Sequence, residues 1–187
     1  MSKAGFVLAG GKSSRMGRDK ALLPFRDGAL AGHVAAAVEA AAGSVTLIGN
    51  PQKYGHLGYA VLPDRSPGAG PVGGIETALG NTAADWNLVV ACDMPAISAE
   101  FLRGLLDAAE RVNADALVPA GPSGRLEPLS AVYHRRCLTA LRAALEAGVR
   151  KVTDALAGLE VARWPVDDAA WFENVNTPEE WAGYHAR

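Results

Sequence analysis

Three short segments of the chain carry more glycine, charge and polarity than a connector needs. The first reads Leu8-Ala9-Gly10-Gly11-Lys12-Ser13-Ser14-Arg15-Met16-Gly17-Arg18-Asp19-Lys20. Paired glycines admit positive φ and bring backbone N–H groups up to a ligand with no Cβ in between. Successive amides in such a loop form an anion-binding concavity. Lys12, Arg15, Arg18 and Lys20 add four cations within nine positions of a chain whose net charge is −2. A triphosphate needs both kinds of group, and strand–loop–helix junctions are where such anions are held. A solvated basic loop is the plain alternative for any one of these cations. The segment lacks the Gly-x-x-x-x-Gly-Lys-Ser/Thr spacing of a Walker A loop and the Gly-x-Gly-x-x-Gly of a dinucleotide site. That argues against an ATPase and against a dehydrogenase.

The second segment is Cys92-Asp93-Met94-Pro95, directly after an apolar run. A carboxylate at a strand end suits Mg²⁺, which takes one or two protein carboxylates and completes its shell with substrate phosphate oxygens and water. An aspartate capping a turn is the alternative. The third segment, residues 63–74, holds Asp64 and four glycines around Pro71. Asp64 could meet a base, a ribose or a second metal position, or it could simply fix a turn. Glycines 68, 70, 73 and 74 could admit a bulky ligand or a tight helix entry. Other chemistries find little support. There is no His-Glu-x-x-His zinc pattern and no Gly-x-Ser-x-Gly elbow. His33, His56, His134 and His185 are scattered, and Cys92 lies beside a carboxylate that would raise its pKa rather than activate it. The four tryptophans form no recognisable stacking platform for nucleic acid.

These segments must be positioned by something, and the pattern of apolar runs says what. Short runs at residues 4–8, 45–48, 59–62, 88–91 and 116–119 read as buried strands. Between them, residues 30–42 form an alanine-rich helix ended by Gly43. Pro71 suits a first helical position ahead of 73–79, and Ser98 caps a helix over 101–110. Later come a strand at 130–133, a helix at 137–147, a short helical piece at 152–156, a strand at 161–164 and a terminal helix at 178–184. Strands alternating with helices predict an α/β fold with a parallel sheet and right-handed crossovers. The change of pattern after residue 121 predicts a small antiparallel addition. In an open α/β sheet the ligand lies beyond the carboxyl ends of the strands, where all three segments fall.

Composition agrees with this. The chain has 187 residues, close to one domain, with 49% apolar and 20% charged residues, ordinary globular values. Its 18 basic and 20 acidic residues provide no global field for nucleic acid. Two cysteines are too few for a disulfide framework, so a reducing, cytoplasmic setting is expected. No apolar run approaches the ~20 residues that cross a bilayer, and Gly10, Gly11 and Lys12 interrupt the apolar start that a secretory leader would need. No membrane or nucleic-acid partner is expected.

The block Leu8-Ala9-Gly10-Gly11-x-Ser-x-Arg15-Met16-Gly17-x-Asp19-Lys20 resembles the signature loop of nucleotidyltransferases related to molybdenum cofactor guanylyltransferase. The likeness continues through Gly70-Pro71-Val72-Gly73-Gly74-Ile75, Cys92-Asp93-Met94-Pro95, Gly124-Arg125-Leu126-Glu127-Pro128-Leu129 and Asn174-Val175-Asn176-Thr177-Pro178-Glu179. Val72 stands where the family has leucine, and Glu127-Pro128 where some relatives have His-Pro. The resemblance implies a Rossmann-like three-layer α/β/α fold of the nucleotide-diphospho-sugar transferase type. It implies one nucleotidyltransferase domain over 1–187, with a nucleotide-binding part (1–120) and an acceptor-binding part (121–187). It further implies transfer of GMP from GTP to the phosphate of molybdopterin, with release of pyrophosphate. Leu8, Ala9, Gly10, Gly11, Lys20, Asp64 and Asp93 would bind GTP, and Asp93 would hold Mg²⁺. Cytidylyltransferase relatives tend to carry Ala-Ala-Gly where this chain has Ala9-Gly10-Gly11, which favours guanine.

The reaction also suits the residues themselves. An ionised phosphate oxygen needs no strong base to attack, so catalysis rests on placement and charge neutralisation. Arg15 and Lys20 would offset charge on the departing pyrophosphate, and Mg²⁺ on Asp93 would polarise the α-phosphoryl oxygens. Arg125, Asn174 and Asn176 come late in the chain, and the asparagine amides both donate and accept, as a pterin edge requires. They are the candidate acceptor-side residues, although Thr177-Pro178 reads equally well as a helix cap. Rival readings are CTP-dependent cytidylyl transfer to molybdopterin, nucleotidyl transfer to a sugar phosphate, and a nucleotide-binding regulatory module without turnover. An oxidation-sensitive pterin suggests transient contacts with proteins that supply or receive the cofactor.

Overall fold

The computed structural model describes residues 1–10, 18–175 and 177–185. Nine strands and seven α-helices occur among them: β1 (Lys3–Leu8), β2 (Pro24–Phe25), β3 (Gly28–Ala29), α1 (Leu30–Ala42), β4 (Thr46–Ile48), α2 (Pro51–Tyr54), β5 (Ala60–Leu62), α3 (Pro71–Gly80), β6 (Trp86–Ala91), α4 (Ala99–Ala109), β7 (Ala116–Ala120), β8 (Ser130–His134), α5 (Cys137–Glu146), α6 (Val152–Ala155), β9 (Val161–Pro165) and α7 (Pro178–His185). Seven strands form one sheet in the order β5-β4-β1-β6-β8-β7-β9. All run parallel except β8, which lies antiparallel between β6 and β7. No described helix is long and apolar enough to cross a membrane.

The two faces of the sheet are read off by alternation, because successive side chains of a strand point to opposite sides. Val7, Leu47, Leu88, Val90 and Val132 pack with the buried faces of α1 and α4. Phe6, Ile48, Val89, Ala131 and Tyr133 pack with α3, α5 and α6. The result is a three-layer α/β/α arrangement. Local signals set the ends of its helices. Gly43 closes α1 in the left-handed conformation (φ 80°), Pro71 occupies the first turn of α3, and the Ser98 hydroxyl accepts from the Phe101 N–H at 3.2 Å to cap α4.

The antiparallel component appears twice. One part is β8, which returns from β7 into the main sheet. The other is an unanticipated hairpin early in the chain, β2–β3, turning at Arg26 with φ 51°. Phe25 of this hairpin gathers His33, Trp181 and Tyr184 around its ring, which seats α7 beside α1. Thr177 caps that last helix. Its hydroxyl accepts from the Glu180 N–H at 3.2 Å while its own N–H donates to Glu180 Oε2 at 3.1 Å, a reciprocal capping box.

Two features of the sheet prepare a site. From β1 the chain builds outward to β4 and β5, then crosses back to place β6 on the other side of β1. The β1/β6 junction is therefore the topological switch point, where a crevice opens. Four parallel strands also end level, because Leu8 is in register with Ile48 and with Ala91, and Ile48 with Leu62.

Candidate active site

The ladder runs one residue beyond that level row. Ala9 N–H donates to Ile48 O at 2.9 Å, Gly49 N–H to Leu62 O at 2.9 Å, and Cys92 N–H to Leu8 O at 3.2 Å. The next residues, two beyond the row, are Gly10, Asn50, Asp64 and Asp93. All four line a cleft of about 1110 Å³, together with Leu8, Ala9, Lys20 and Leu129. Pockets of 300–1,000 Å³ commonly enclose a small-molecule ligand, so this one has room for a nucleotide and part of a second substrate.

Lys20 reaches the cleft because Asp19 fixes the turn that carries it. The Asp19 Oδ1 accepts from the Ala21 N–H at 3.2 Å, capping the 3-10 turn Lys20–Leu22. Its Oδ2 accepts from the Tyr54 hydroxyl at 2.9 Å and from Lys53 Nζ at 3.2 Å. Lys20 Nζ then lies 3.3 Å from Asp93 Oδ2, both side chains about one-fifth exposed (18% and 20%). Partial burial strengthens such a pair relative to one in open water. The pair leaves a cation and an anion side by side at the switch point, where a polyphosphate could meet the ammonium and a divalent cation the carboxylate.

Asp93 itself is held from behind. Its carbonyl accepts from the Val175 N–H at 3.1 Å. Two residues on, the Pro95 carbonyl accepts from His33 Nε2 at 3.1 Å. Burial, and secondarily the charge of Arg26, hold the His33 imidazole below its ordinary pKa, consistent with a neutral ring donating one N–H. Cys92 is fully inert in this setting. Burial first, then the negative charges of Asp93 and Asp19, push its thiol far above its ordinary value, against the opposing effect of Lys20.

Close backbone approach explains two of the glycines. A Cβ on Gly74 would stand 3.0 Å from Leu8 Cδ2, so its absence lets α3 lie close against the end of β1. A Cβ on Gly49 would meet the Tyr54 ring at 2.6 Å. The same tyrosine thus packs on the backbone after β4 and bonds the carboxylate that caps the Lys20 turn. Gly70 enters α3 with φ 69°, a conformation that favours glycine.

The structure brings Leu8, Ala9, Gly10, Lys20, Asp64 and Asp93 to one cleft. Gly11, Arg15 and Asn176 lie outside the described residues. Arg125 is mostly exposed, ion-paired to Glu127 at 3.3 Å, and does not line the cleft among the described residues. Asn174 adjoins Asp93 through Val175 and lines a hollow of about 270 Å³ with Glu173 and Tyr184. Its Oδ1 is buried without a hydrogen-bond partner among the described residues. Asn50, directly after the strand expected over residues 45–48, was not singled out from the sequence. Its side chain does make a turn, accepting from the Gln52 N–H at 2.9 Å, but it stands in the same row as Asp64 and Asp93. A polar residue at the carboxyl end of a strand beside β1 was the available signal. Asp19 was likewise read only as part of the basic loop.

Only one carboxylate of the cleft is placed for a metal beside the lysine, and no group of three His, Cys, Asp or Glu able to hold a metal occurs among the described residues. Such a sparse donor set fits Mg²⁺ bound partly through substrate phosphates, and not a structural metal cage.

Comparison with known proteins agrees with this architecture. Residues 5–161 match the family model described as the MobA-like NTP transferase domain. A probable molybdenum cofactor guanylyltransferase of Pelotomaculum thermopropionicum is 36% identical over 96% of this chain and 90% of its own. The crystal structure of molybdopterin-guanine dinucleotide biosynthesis protein A from Archaeoglobus fulgidus superposes with a TM-score of 0.83 at 26% identity, covering 96% of this chain and 95% of that one. CMP:2-keto-3-deoxy-manno-octonic acid synthetase, complexed with CTP, shares the fold with a TM-score of 0.81 over 100% of this chain and 98% of its own, at 15% identity. With its family model spanning most of its length, this chain belongs to the MobA-like NTP transferase family and is a nucleotidyltransferase of the molybdenum cofactor guanylyltransferase kind.

Proposed function

We propose that the protein transfers GMP from GTP to the phosphate of molybdopterin, and that the Lys20–Asp93 pair at the β1/β6 switch point is its chemical centre. An acceptor phosphate oxygen attacks the α-phosphorus. One P–O bond forms to the acceptor, the bond to the α,β-bridging oxygen breaks, and pyrophosphate leaves with that electron pair. The acceptor is already ionised, so no side chain has to remove a proton. Lys20 neutralises charge that grows on the leaving group, which a preorganised cation does without reorganising at the moment of reaction. Asp93 would hold Mg²⁺, which polarises phosphoryl oxygens when bound. Arg15, in the signature loop, supplies a second cation in this reading.

The row beyond the level strand ends would take the nucleotide. Leu8, Ala9 and Gly10 present backbone, Gly11 of the signature loop is assigned to the same role, and Asp64 offers a carboxylate to the base or ribose. Residues 1–120 form this part. Residues 121–187 serve the acceptor in this reading, with Arg125, Asn174 and Asn176 assigned to its contacts. The Oδ1 of Asn174, buried without a partner among the described residues, supports that division, since a buried carbonyl oxygen without a donor is costly and a pterin N–H would satisfy it. Cys92 and Cys137 are buried and unpaired, in keeping with the reducing cytoplasm. Hand-over of the pterin to other proteins belongs to the same reading.

The test is pyrophosphate release from GTP, CTP or UTP with molybdopterin and Mg²⁺. Turnover with GTP exceeding that with CTP by at least about a hundredfold is expected, the scale on which a site built to hydrogen-bond one base rejects another. Equal or better turnover with CTP would assign the protein to cytidylyl transfer instead.

A further inference from the structure

Asp64 stands on the exposed stretch between β5 and α3, where a carboxylate would ordinarily sample several rotamers. It does not do so here, because Thr77 of α3 holds it. The Thr77 hydroxyl donates to Asp64 Oδ1 at 3.3 Å and accepts from the Arg65 N–H at 3.0 Å. The Ser66 N–H donates to the same Oδ1 at 2.9 Å. Both of these bonds to the carboxylate fall on one oxygen, leaving Oδ2 as the oxygen without a bond among the described residues. Thr77 is wholly buried, and a β-branched side chain in a helix keeps a restricted χ1. A helical threonine most often spends its hydroxyl on the preceding turn of its own helix; here both bonds leave the helix. The helix is itself a fixed reference, since Gly74 seats it on Leu8 of β1 and Glu76 ties it to Arg142 of α5 at 2.8 Å.

We infer that Thr77 is a positioning residue for the nucleotide: its buried hydroxyl orients Asp64 so that one carboxylate oxygen faces the ligand while the other is spent on the protein. The inference rests on the reading of Asp64 as a nucleotide-binding residue. Through Thr77 the same helix fixes the distance between the Leu8 backbone and the Asp64 carboxylate, the two walls that a base and its ribose would span. Preorganising a binding group removes an ordering cost that the ligand would otherwise bear. The hydroxyl should therefore act on affinity and leave the chemical step alone.

The experiment compares Thr77→Val, Thr77→Ser and Asp64→Asn in the full chain, titrated calorimetrically with GTP in Mg²⁺, with kcat from pyrophosphate release at saturating GTP. Thr77→Val should weaken GTP binding about fivefold to tenfold, the scale of one ordinary hydrogen bond, with kcat within about twofold. Thr77→Ser, which keeps the hydroxyl, should bind within about twofold of the parent. Combining Thr77→Val with Asp64→Asn should weaken binding no further than Asp64→Asn alone, since the two act as one unit. Parent-like affinity in Thr77→Val, or equal weakening in Thr77→Ser, overturns the positioning role while Asp64→Asn still reports on Asp64. Parent-like affinity in Asp64→Asn overturns the nucleotide reading of Asp64 and the inference with it. Should the valine variant fold poorly by its melting temperature, Thr77→Ala carries the same comparison.

Discussion

The two ends of the cleft are constructed differently. At the nucleotide end, Gly10, Asn50, Asp64 and Asp93 follow four strand termini held level by a continuous parallel ladder, and glycines let backbone and helix close in around them. At the proposed acceptor end, the chain arrives late and attaches to Asp93 through a backbone bond from Val175, and a polar atom of Asn174 has no partner among the described residues. A sheet edge built from many shared hydrogen bonds moves as a unit, whereas a segment hung on a few can adapt to its ligand. The difference accords with the proposed division of the site between a nucleotide held in one pose and a second substrate received beside it.

The strongest way to break this comparison is at the junction of the two ends. Lys20→Ala and Asp93→Ala should each lower turnover on the order of a hundredfold or more, the scale seen when one preorganised charge partner of a transition state is removed. Their melting temperatures should stay near that of the parent, because the pair lines the cleft and lies outside the hydrophobic core. Single-turnover pyrophosphate release measures this, and near-parent turnover in either variant would remove the pair from the chemistry. A smaller effect separates the ends. Asn174→Ala should raise the KM for molybdopterin by about fivefold, as expected for one lost hydrogen bond, while GTP affinity measured by titration stays put. An equal loss of GTP affinity would show that the ends are not independent.

The smallest effect lies away from both. Asp115 joins β7 to its neighbours, accepting from the Glu160 N–H at 2.8 Å and pairing with Arg136. Those two partners, the Glu160 N–H first, hold its carboxyl below the ordinary value of 3.8. Because the folded value is depressed, the stabilisation is present above about pH 3.8 and is lost as pH falls through the folded value. Asp115→Asn should therefore cost about 1 kcal/mol at pH 7, kept modest by the exposure of the pair. The gap from the parent should close in acid, as urea denaturation at pH 7 and pH 3 would reveal. Turnover and GTP affinity should be unchanged.

Much of the nucleotide end was legible because its determinants are local. The run before Gly10, the Pro71 helix start, the Ser98 cap and the carboxylate after residues 88–91 each state their conformation within a few residues. What was hidden depends on pairing across the chain. Nothing local says that β8 inserts between β6 and β7, since strand order is set by which edges remain open once the parallel core has formed. The hairpin at residues 24–29 was missed because strands of two residues carry no periodicity. Tyr54 and Thr77 carry no motif at all, and their roles appear only when Asp19 and Asp64 are seen to bond them from 35 and 13 residues away. The acceptor end was legible only as a likeness to relatives, because Arg125 and Asn174 depend on where distant loops happen to meet.

The reversed direction of β8 has its own consequence. In a parallel sheet every strand enters from the far edge, so only its last residues look onto the ligand. Here β8 does the opposite, and Ser130 at its start pairs with Val90 near the end of β6 while Leu129 bonds Ala91 and reaches the cleft. The connection over residues 121–129 therefore folds back on β7, with Glu127 N–H donating to Pro119 O, and brings its last residue, Leu129, to the cleft. A change of length within that connection would leave the rungs between β6 and β8 in place, because their pairing begins only at Ser130.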